Sequence, residues 1–176
     1  MNQSKIIRFL RHHKYKKMIK GSSSVILEEF VLIINDTIEH FEKEKQIKSA
    51  EQKEVLKFES TALVFWVFQK TSMFPALIHE LLLDEIHKQY YARLRKHGYD
   101  YKMLQIVSDD FNVRFKKYNK SFGKDDELVK VSLDFLSFLP ERFKADLDFS
   151  EVMTIPFLLI NKLTPKFKEW SDVVKN

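Results

Sequence analysis

An apolar stretch from Thr61 to Phe68, with the sequence TALVFWVF, constrains the fold more than any other part of the chain. Each residue of an α-helix turns its side chain by about 100°, so the consecutive apolar residues 62–68 cover every face of a helix. A helix that is apolar all round needs neighbours on all sides. We therefore predict that this stretch lies at the centre of the core.

Two alternative interpretations apply to this stretch. A membrane span needs about 18 or more apolar residues, whereas Gln69 and Lys70 end this run. A buried strand is the stronger alternative, because Val, Phe and Trp favour strands and a short apolar run has no diagnostic period. The lead-in over residues 50–57 contains no Gly or Pro, and Ser49 and Gln52 have the spacing of a capping box. These signals favour a helix.

The scarcity of turn-forming residues favours helices throughout the chain. Among 176 residues there are three Gly, four Pro and no Cys, which leaves little turn chemistry for an all-β fold. The length indicates a single folded domain. The absence of Cys excludes disulfides and thiolate chemistry and suits a reducing compartment. Since no secretory signal pattern is present, we expect a cytoplasmic protein.

Turn signals near residues 23, 48, 74, 99 and 124 divide the chain into segments of similar length. Helices of about 23 residues would each be about 34 Å long, and short connections make neighbours antiparallel. The clearest boundary is the one near residue 99, where Gly98 ends the third helix and Asp100 caps the fourth. The sequence predicts an all-α, up-and-down helical bundle of five or more helices with an irregular helical C-terminal segment, in which Pro165 begins a last short helix. The predicted core segments are Val25 to Ile34, Ala62 to Phe68, Leu77 to Ile86 and Leu104 to Phe122.

Basic residues concentrate at the start of the chain. Residues 1–20 contain no acidic residue, and Gly21 to Ser24 is typical of a break, with Ser24 as an N-cap. We therefore predict a basic amphipathic arm at 1–20 and a helical-bundle domain at 21–176. The arm is a candidate for binding an acidic partner, an anionic membrane surface or nucleic acid, and a solvated first helix is the alternative. Its polyanion-binding candidates are Lys5, Arg8, Arg11, Lys14, Lys16, Lys17 and Lys20.

Four residues are candidates for a ligand pocket between helices 2 and 3: Glu59, Trp66, His79 and Tyr90. His79 lies on the apolar face of its helix, and a buried imidazole needs a partner that Glu59 could supply. Such a pair could act as general acid and base, and a hydrogen-bonded structural pair is the alternative. No catalytic residue is assigned.

Two further clusters have a functional and a structural interpretation. Asp84 and His87 have the i, i+3 spacing of metal ligands, but a second pair is missing, so we expect no metal and no cofactor. Cations and aromatics alternate near the end of the fourth helix, as in single-stranded nucleic-acid sites. A solvated helix end is favoured for this cluster, which comprises Arg114, Lys116, Lys117, Lys120 and Lys124 with Phe115 and Tyr118.

The sequence contains no recognisable nucleophile with its base and no phosphate-binding loop. We therefore expect a non-enzymatic helical interaction module that binds a protein partner or forms a homodimer. A small-molecule-binding or enzymatic bundle with a pocket between helices 2 and 3 is the alternative. Self-association would cover the apolar stretch if five helices do not enclose it, and Trp170 and Phe157 could provide the cover instead.

Overall fold

The computed structural model describes residues 3–44, 47–70, 74–123, 126–144 and 149–175, with side chains described from Lys16 onward in the first helix. These ranges contain no strand, which confirms the all-α prediction. None of the helices in the described ranges combines the length and apolar character needed to cross a membrane. The helices are α1 (Gln3–Lys43), α2 (Ala50–Lys70), α3 (Ala76–Lys96), α4 (Tyr101–Ser121), α5 (Glu127–Ser137), α6 (Glu141–Lys144), α7 (Phe149–Val152) and α8 (Thr154–Lys175).

The long helices α1 to α5 alternate in direction. In the α1–α2 pair, Glu42 bonds to Lys53 near one end while Phe30 meets Phe65 near the other. The same opposed order of contacts occurs between α2 and α3 and between α4 and α5. The predicted up-and-down bundle is therefore confirmed, and α8 closes it by packing on α1, α2 and α5.

The apolar stretch of α2 lies at the centre of the core, as predicted. The ring of Phe65 is 1% exposed and lies 5.6 Å from Phe30 of α1, 5.2 Å from Tyr90 of α3 and 5.9 Å from Phe111 of α4. From α8, Trp170 covers Phe30 at a centroid distance of 5.6 Å. One chain thus encloses the stretch, so incomplete cover of α2 no longer argues for a homodimer.

Local caps define the helix boundaries that the sequence predicted. The backbone N–H of Gln52 donates to Ser49 Oγ at 3.1 Å, and Gln52 Oε1 accepts from the N–H of Lys48 at 2.7 Å, one residue earlier than in a standard capping box. Gly98 has φ +92°, and Asp100 accepts from the N–H of Met103 at 2.8 Å. These bonds make α2 and α4 begin, and α3 end, where expected.

The predicted break at Gly21 to Ser24 is wrong, because α1 continues through it. Ile19, Ser22 and Ser23 are buried, so this segment packs against the core, and packing outweighs the low helix propensity of Gly and Ser. The predicted core segment Val25 to Ile34 is also not buried on every face, since Val25 is 56% and Leu32 61% exposed. The division into a basic arm and a bundle domain stays a prediction.

The predicted helix start at Pro165 is also wrong. Helix α8 runs from Thr154 to Lys175 with Pro165 in its interior. Leu163 before the proline and Phe167 after it are both buried, so packing holds the two halves in one helix. Among its described residues, the predicted irregular character of the C-terminal segment is limited to the short helices α6 and α7.

Replacing Pro165 with Ala should stabilise the protein. A proline inside a helix costs about 3 kcal/mol relative to Ala, because it removes the N–H that would bond to the carbonyl of Asn161. Part of this gain is offset by about 0.4–1 kcal/mol, since Pro also restricts the unfolded chain. We expect a net gain of about 2–2.6 kcal/mol, the difference between these two effects, seen as a rise in Tm of about 4–10 °C. Lys168→Ala, an exposed change in the same helix, is the control, and a fall in Tm for Pro165→Ala would contradict a continuous α8.

Candidate functional site

Glu59 forms a buried ion pair with Arg114 rather than with His79. Glu59 is 2% exposed, and its two carboxylate oxygens accept from Arg114 Nε at 2.7 Å and Nη2 at 2.5 Å. Burial raises the pKa of Glu59, whereas the hydrogen bonds and the positive charge of Arg114 lower it. The pair joins α2 to α4 inside the bundle.

The guanidinium of Arg114 is enclosed on both faces. Its carbon lies 5.0 Å from the ring centroid of Phe58 and 4.7 Å from that of Phe138, and Nη1 donates to the carbonyl of Asp110 at 3.0 Å. Arg114 therefore does not belong to a solvated helix end, which corrects the prediction for this residue. Because its donors and faces are used within the chain, the pair has the character of a structural contact.

Three buried hydroxyl groups lie on α2, α4 and α5. Ser60 Oγ, Tyr118 Oη and Ser132 Oγ have no hydrogen-bond partner within the described part of the chain. Burial raises the pKa of Tyr118 well above its ordinary value. A buried polar group without a partner costs about 1–3 kcal/mol, so within the described part of the chain these hydroxyls do not add to the stability that packing supplies.

His79 lies in an open cleft at the far end of α2. Its Nε2 donates to the carbonyl of Gln69 at 3.3 Å, and its ring stacks on Phe74 at 6.0 Å. Gln69 follows Glu59 by ten residues, about 15 Å along the helix axis, so the predicted pairing of Glu59 with His79 is wrong. The cleft has a volume of about 500 Å³ and is lined by Gln69, Lys70, Phe74, Ala76, His79, Glu80 and Leu83.

Trp66 and Tyr90 do not face this cleft. The ring of Tyr90 packs between Phe65 and Phe111, where burial raises its pKa. Trp66 Nε1 donates to Asn119 Oδ1 at 3.0 Å, and its ring contributes to a separate crevice beside α5 and α8. The structure therefore does not bring the four predicted ligand-binding residues together in one pocket.

Of the weak metal candidates Asp84 and His87, the histidine packs against an aromatic ring of the core. The ring of His87 lies 4.8 Å from that of Phe65, and burial lowers the pKa of His87. Within the ranges that the structure describes, no three His, Asp or Glu side chains are placed to hold a metal ion together.

The polyanion-binding candidates of α1 are described in part. Lys16, Lys17 and Lys20 are exposed on the helix surface, whereas the intervening Ile19 is buried. The side chains of Lys5, Arg8, Arg11 and Lys14 lie outside the described residues. Polyanion binding by this segment stays a prediction.

The end of the bundle where α3 turns into α4 exposes large apolar side chains. We call residues 95–106 the α3–α4 end. Tyr99 is 40%, Tyr101 83%, Met103 49% and Ile106 54% exposed. Met103 shares a helical face with the buried Val107 and Phe111, at spacings of four and eight residues, yet it stays exposed in the first turn of α4. Ile106 lies off that face and points outward. This surface was not predicted from the sequence, because Ile106 lies within the predicted core segment Leu104 to Phe122; its position off the helical face of Val107 and Phe111 was a signal for exposure.

The α3–α4 end is also basic. Arg95, Lys96 and Lys102 are exposed and form no salt bridge with any residue that the structure describes. The one acidic side chain of the segment, Asp100, accepts the N–H of Met103 as a helix cap. Free cations and exposed aromatics therefore occupy the same surface.

Comparison of the chain with models of protein families, with curated proteins and with solved structures finds no match. The geometry of the chain itself therefore carries the functional inference.

Proposed function

We propose that the protein is a non-enzymatic helical interaction module that binds an acidic protein segment through the α3–α4 end. The exposure of Tyr99, Tyr101, Met103 and Ile106 by 40%, 83%, 49% and 54% carries this proposal. Exposed apolar patches of this kind mark interaction sites. Tyr, Met and Arg are also the residue types enriched in protein interfaces, and Tyr and Arg are common hot spots.

The shape of the α3–α4 end suits insertion of partner side chains. Tyr99 separates two cavities, one of about 440 Å³ beside Met103 and Ile106 and one of about 390 Å³ beside Arg95 and Leu104. The turn is fixed by a hydrogen bond from the N–H of Tyr99 to the carbonyl of Leu94 at 3.1 Å. Because the surface is preformed, binding would require little ordering on this side.

The charge of the surface selects the partner. Arg95, Lys96 and Lys102 are exposed in the same segment as the apolar side chains, so acidic residues of a partner would face uncompensated cations. Complementary charge raises the association rate and excludes basic competitors. An acidic segment with apolar or aromatic anchors therefore fits this surface best.

The alternative function, a small-molecule-binding or enzymatic bundle, has one supporting observation. A cleft of about 500 Å³ does lie between the end of α2 and the start of α3. Only His79 of the four predicted residues lines it, and Glu59 is already bonded to Arg114. The cleft therefore supports this function less well than the α3–α4 end supports protein binding.

A photo-cross-linking amino acid at Met103 should capture a defined acidic protein in the cells that produce this chain. The same group at the exposed Lys168 of α8 is the matched control, and it should not capture that protein. Changing Met103 and Ile106 together to Asp should lower capture from a Tyr101 cross-linker by at least about tenfold, because it replaces apolar anchors and repels acidic groups. Unchanged helicity and Tm would show that the variant is folded.

Other outcomes of this experiment contradict the proposal. Equal capture at Met103 and Lys168 would show that the α3–α4 end is not a specific surface. Capture of a second copy of this chain would support the homodimer expected from the sequence and overturn the acidic partner.

A further inference from the structure

A narrow crevice opens between α2, α5 and α8, away from the α3–α4 end. Its volume is about 190 Å³. We call it the Trp66 crevice and define it by its lining residues, Trp66, Val67, Lys70, Phe122, Glu127, Leu128, Val131 and Ile160. It is independent of the proposed protein-binding surface.

Most residues that line the Trp66 crevice are apolar, and those at its mouth are exposed because the crevice opens to solvent there. Trp66 is 3% and Val131 0% exposed, whereas Leu128 is 42% exposed. Leu128 nevertheless lies on the same helical face as the buried Val131 and Phe135, at spacings of three and seven residues. Leu128 therefore faces the bundle and remains accessible because the described part of the chain does not fill the crevice over it.

The aromatic wall is held in place before any ligand enters. Trp66 donates to Asn119 at 3.0 Å, and its ring packs on Tyr118 at 5.3 Å and on Phe122 at 5.7 Å. An apolar cavity of about 150 Å³ is large enough for one benzene ring. The volume of the Trp66 crevice therefore fits a single ring or a branched aliphatic group of similar size.

Two charged side chains of opposite sign line the crevice, and they differ in what they contact. Glu127 accepts the N–H of Gly123 at 2.9 Å and so stabilises the turn between α4 and α5. The ammonium of Lys70 lies 5.6 Å from the centroid of Phe122 and has no carboxylate within salt-bridge distance in the described part of the chain. The Glu127 carboxylate keeps its charge, but it is engaged by the N–H of Gly123, whereas the Lys70 ammonium has no hydrogen-bond partner among the described residues and is therefore the group that can pair with an anionic ligand.

We propose that the Trp66 crevice binds a small carboxylate whose body is one aromatic ring or a branched aliphatic group. The body lies against Trp66, Leu128 and Val131, and the carboxylate bonds to the ammonium of Lys70. Charge-assisted bonds of this type are stronger than neutral ones, and burial of the ring adds the hydrophobic part of the affinity.

Titration of the full chain with phenylacetate, followed by the indole N–H signals in two-dimensional NMR, tests this proposal. The Trp66 signal should shift with a Kd below about 1 mM, whereas that of Trp170 should stay in place. Benzylamine has the same ring with the opposite charge and should bind at least about tenfold more weakly.

Variants separate the charge from the cavity. Lys70→Gln should weaken phenylacetate binding by about tenfold, and Lys168→Gln should leave it unchanged. Val131→Phe should abolish binding by filling the crevice. If that variant does not fold, Leu128→Trp should block the crevice instead, since Leu128 is more exposed and tolerates a larger side chain. An unmoved Trp66 signal at about 10 mM phenylacetate, far above the expected Kd, would overturn the proposal, as would benzylamine binding equally well or both filled variants still binding.

Discussion

Replacing Arg114 with Met should destabilise the protein by about 3–5 kcal/mol at pH 7, because the change leaves a buried carboxylate without its partner. Glu59 is 2% exposed and accepts two hydrogen bonds from Arg114, at 2.7 and 2.5 Å. Methionine keeps an unbranched side chain between the rings of Phe58 and Phe138, so lost packing contributes little. Urea unfolding followed by circular dichroism measures the effect.

The loss in Arg114→Met should depend on pH. Burial already raises the pKa of Glu59, and removing Arg114 removes the hydrogen bonds and the charge that lower it. A carboxyl group whose pKa is higher in the folded than in the unfolded state favours folding below its unfolded pKa, and this stabilisation is lost as pH rises through the folded pKa. The variant should therefore approach the wild type as pH falls from 7 toward 4.5, the ordinary pKa of the group.

A double variant controls for the ion pair itself. Changing both Glu59 and Arg114 to Met removes the buried charge together with its partner, and such apolar replacements are often neutral or stabilising. We expect the double variant to be more stable than Arg114→Met alone at pH 7. A single-variant loss below about 0.5 kcal/mol, as at an ordinary surface site, would show that Glu59 is not buried as described.

Replacing Phe65 with Ala should cost about 3–5 kcal/mol, because it removes a buried ring and leaves a cavity. The ring contacts Phe30, Tyr90 and Phe111, so three other helices lose packing against α2 at once. Loss of near-UV circular dichroism should coincide with loss of helicity in urea, since all four helices share this core.

The matched control is Leu32→Ala, another large-to-small change in a segment that the sequence predicted to be core. Leu32 is 61% exposed, so we expect a change within about 0.5 kcal/mol. A loss comparable to that of Phe65→Ala would mean that the outer face of α1 is covered in solution, as in a homodimer.

The sequence predicts those features of the fold that depend on neighbouring residues. Gly98 and Asp100 set the α3–α4 boundary because a left-handed residue and a side-chain cap act within one turn of helix. Gly21 and Pro165 have equally clear local preferences but lie inside helices. There, burial of Ile19 or Phe167 against helices distant in sequence outweighs the local helix-breaking preference of Gly or Pro. The neighbouring residues do not show which distant helices will pack there.

The candidate sites likewise combine features that neighbouring residues determine with features that depend on how distant helices pack. The sequence indicates that Glu59 needs a partner, but the partner lies 55 residues away and depends on how α2 and α4 are aligned. His79 is nearer to Glu59 in sequence than Arg114 is, yet it contacts the C-terminal end of α2 at Gln69, ten residues beyond Glu59. Helical periodicity could have placed Ile106 on the outer face of α4, away from Val107 and Phe111. Met103 shares the face of those two residues, so its exposure depends on where the bundle ends and not on a local pattern.

The length of α1 has a consequence for any partner of its basic half. The helix has 41 residues, about 62 Å, and its second half is fixed by packing on α2, α3 and α8. Starting an isolated helix is disfavoured by a nucleation factor of about 10⁻³, or about 4 kcal/mol at 25 °C. The packed half supplies that nucleus, so residues 3–20 need only extend an existing helix. The bundle therefore holds the cations Lys16, Lys17 and Lys20 at fixed helical spacing. A polyanion that binds them would not have to supply the free energy needed to form the helix.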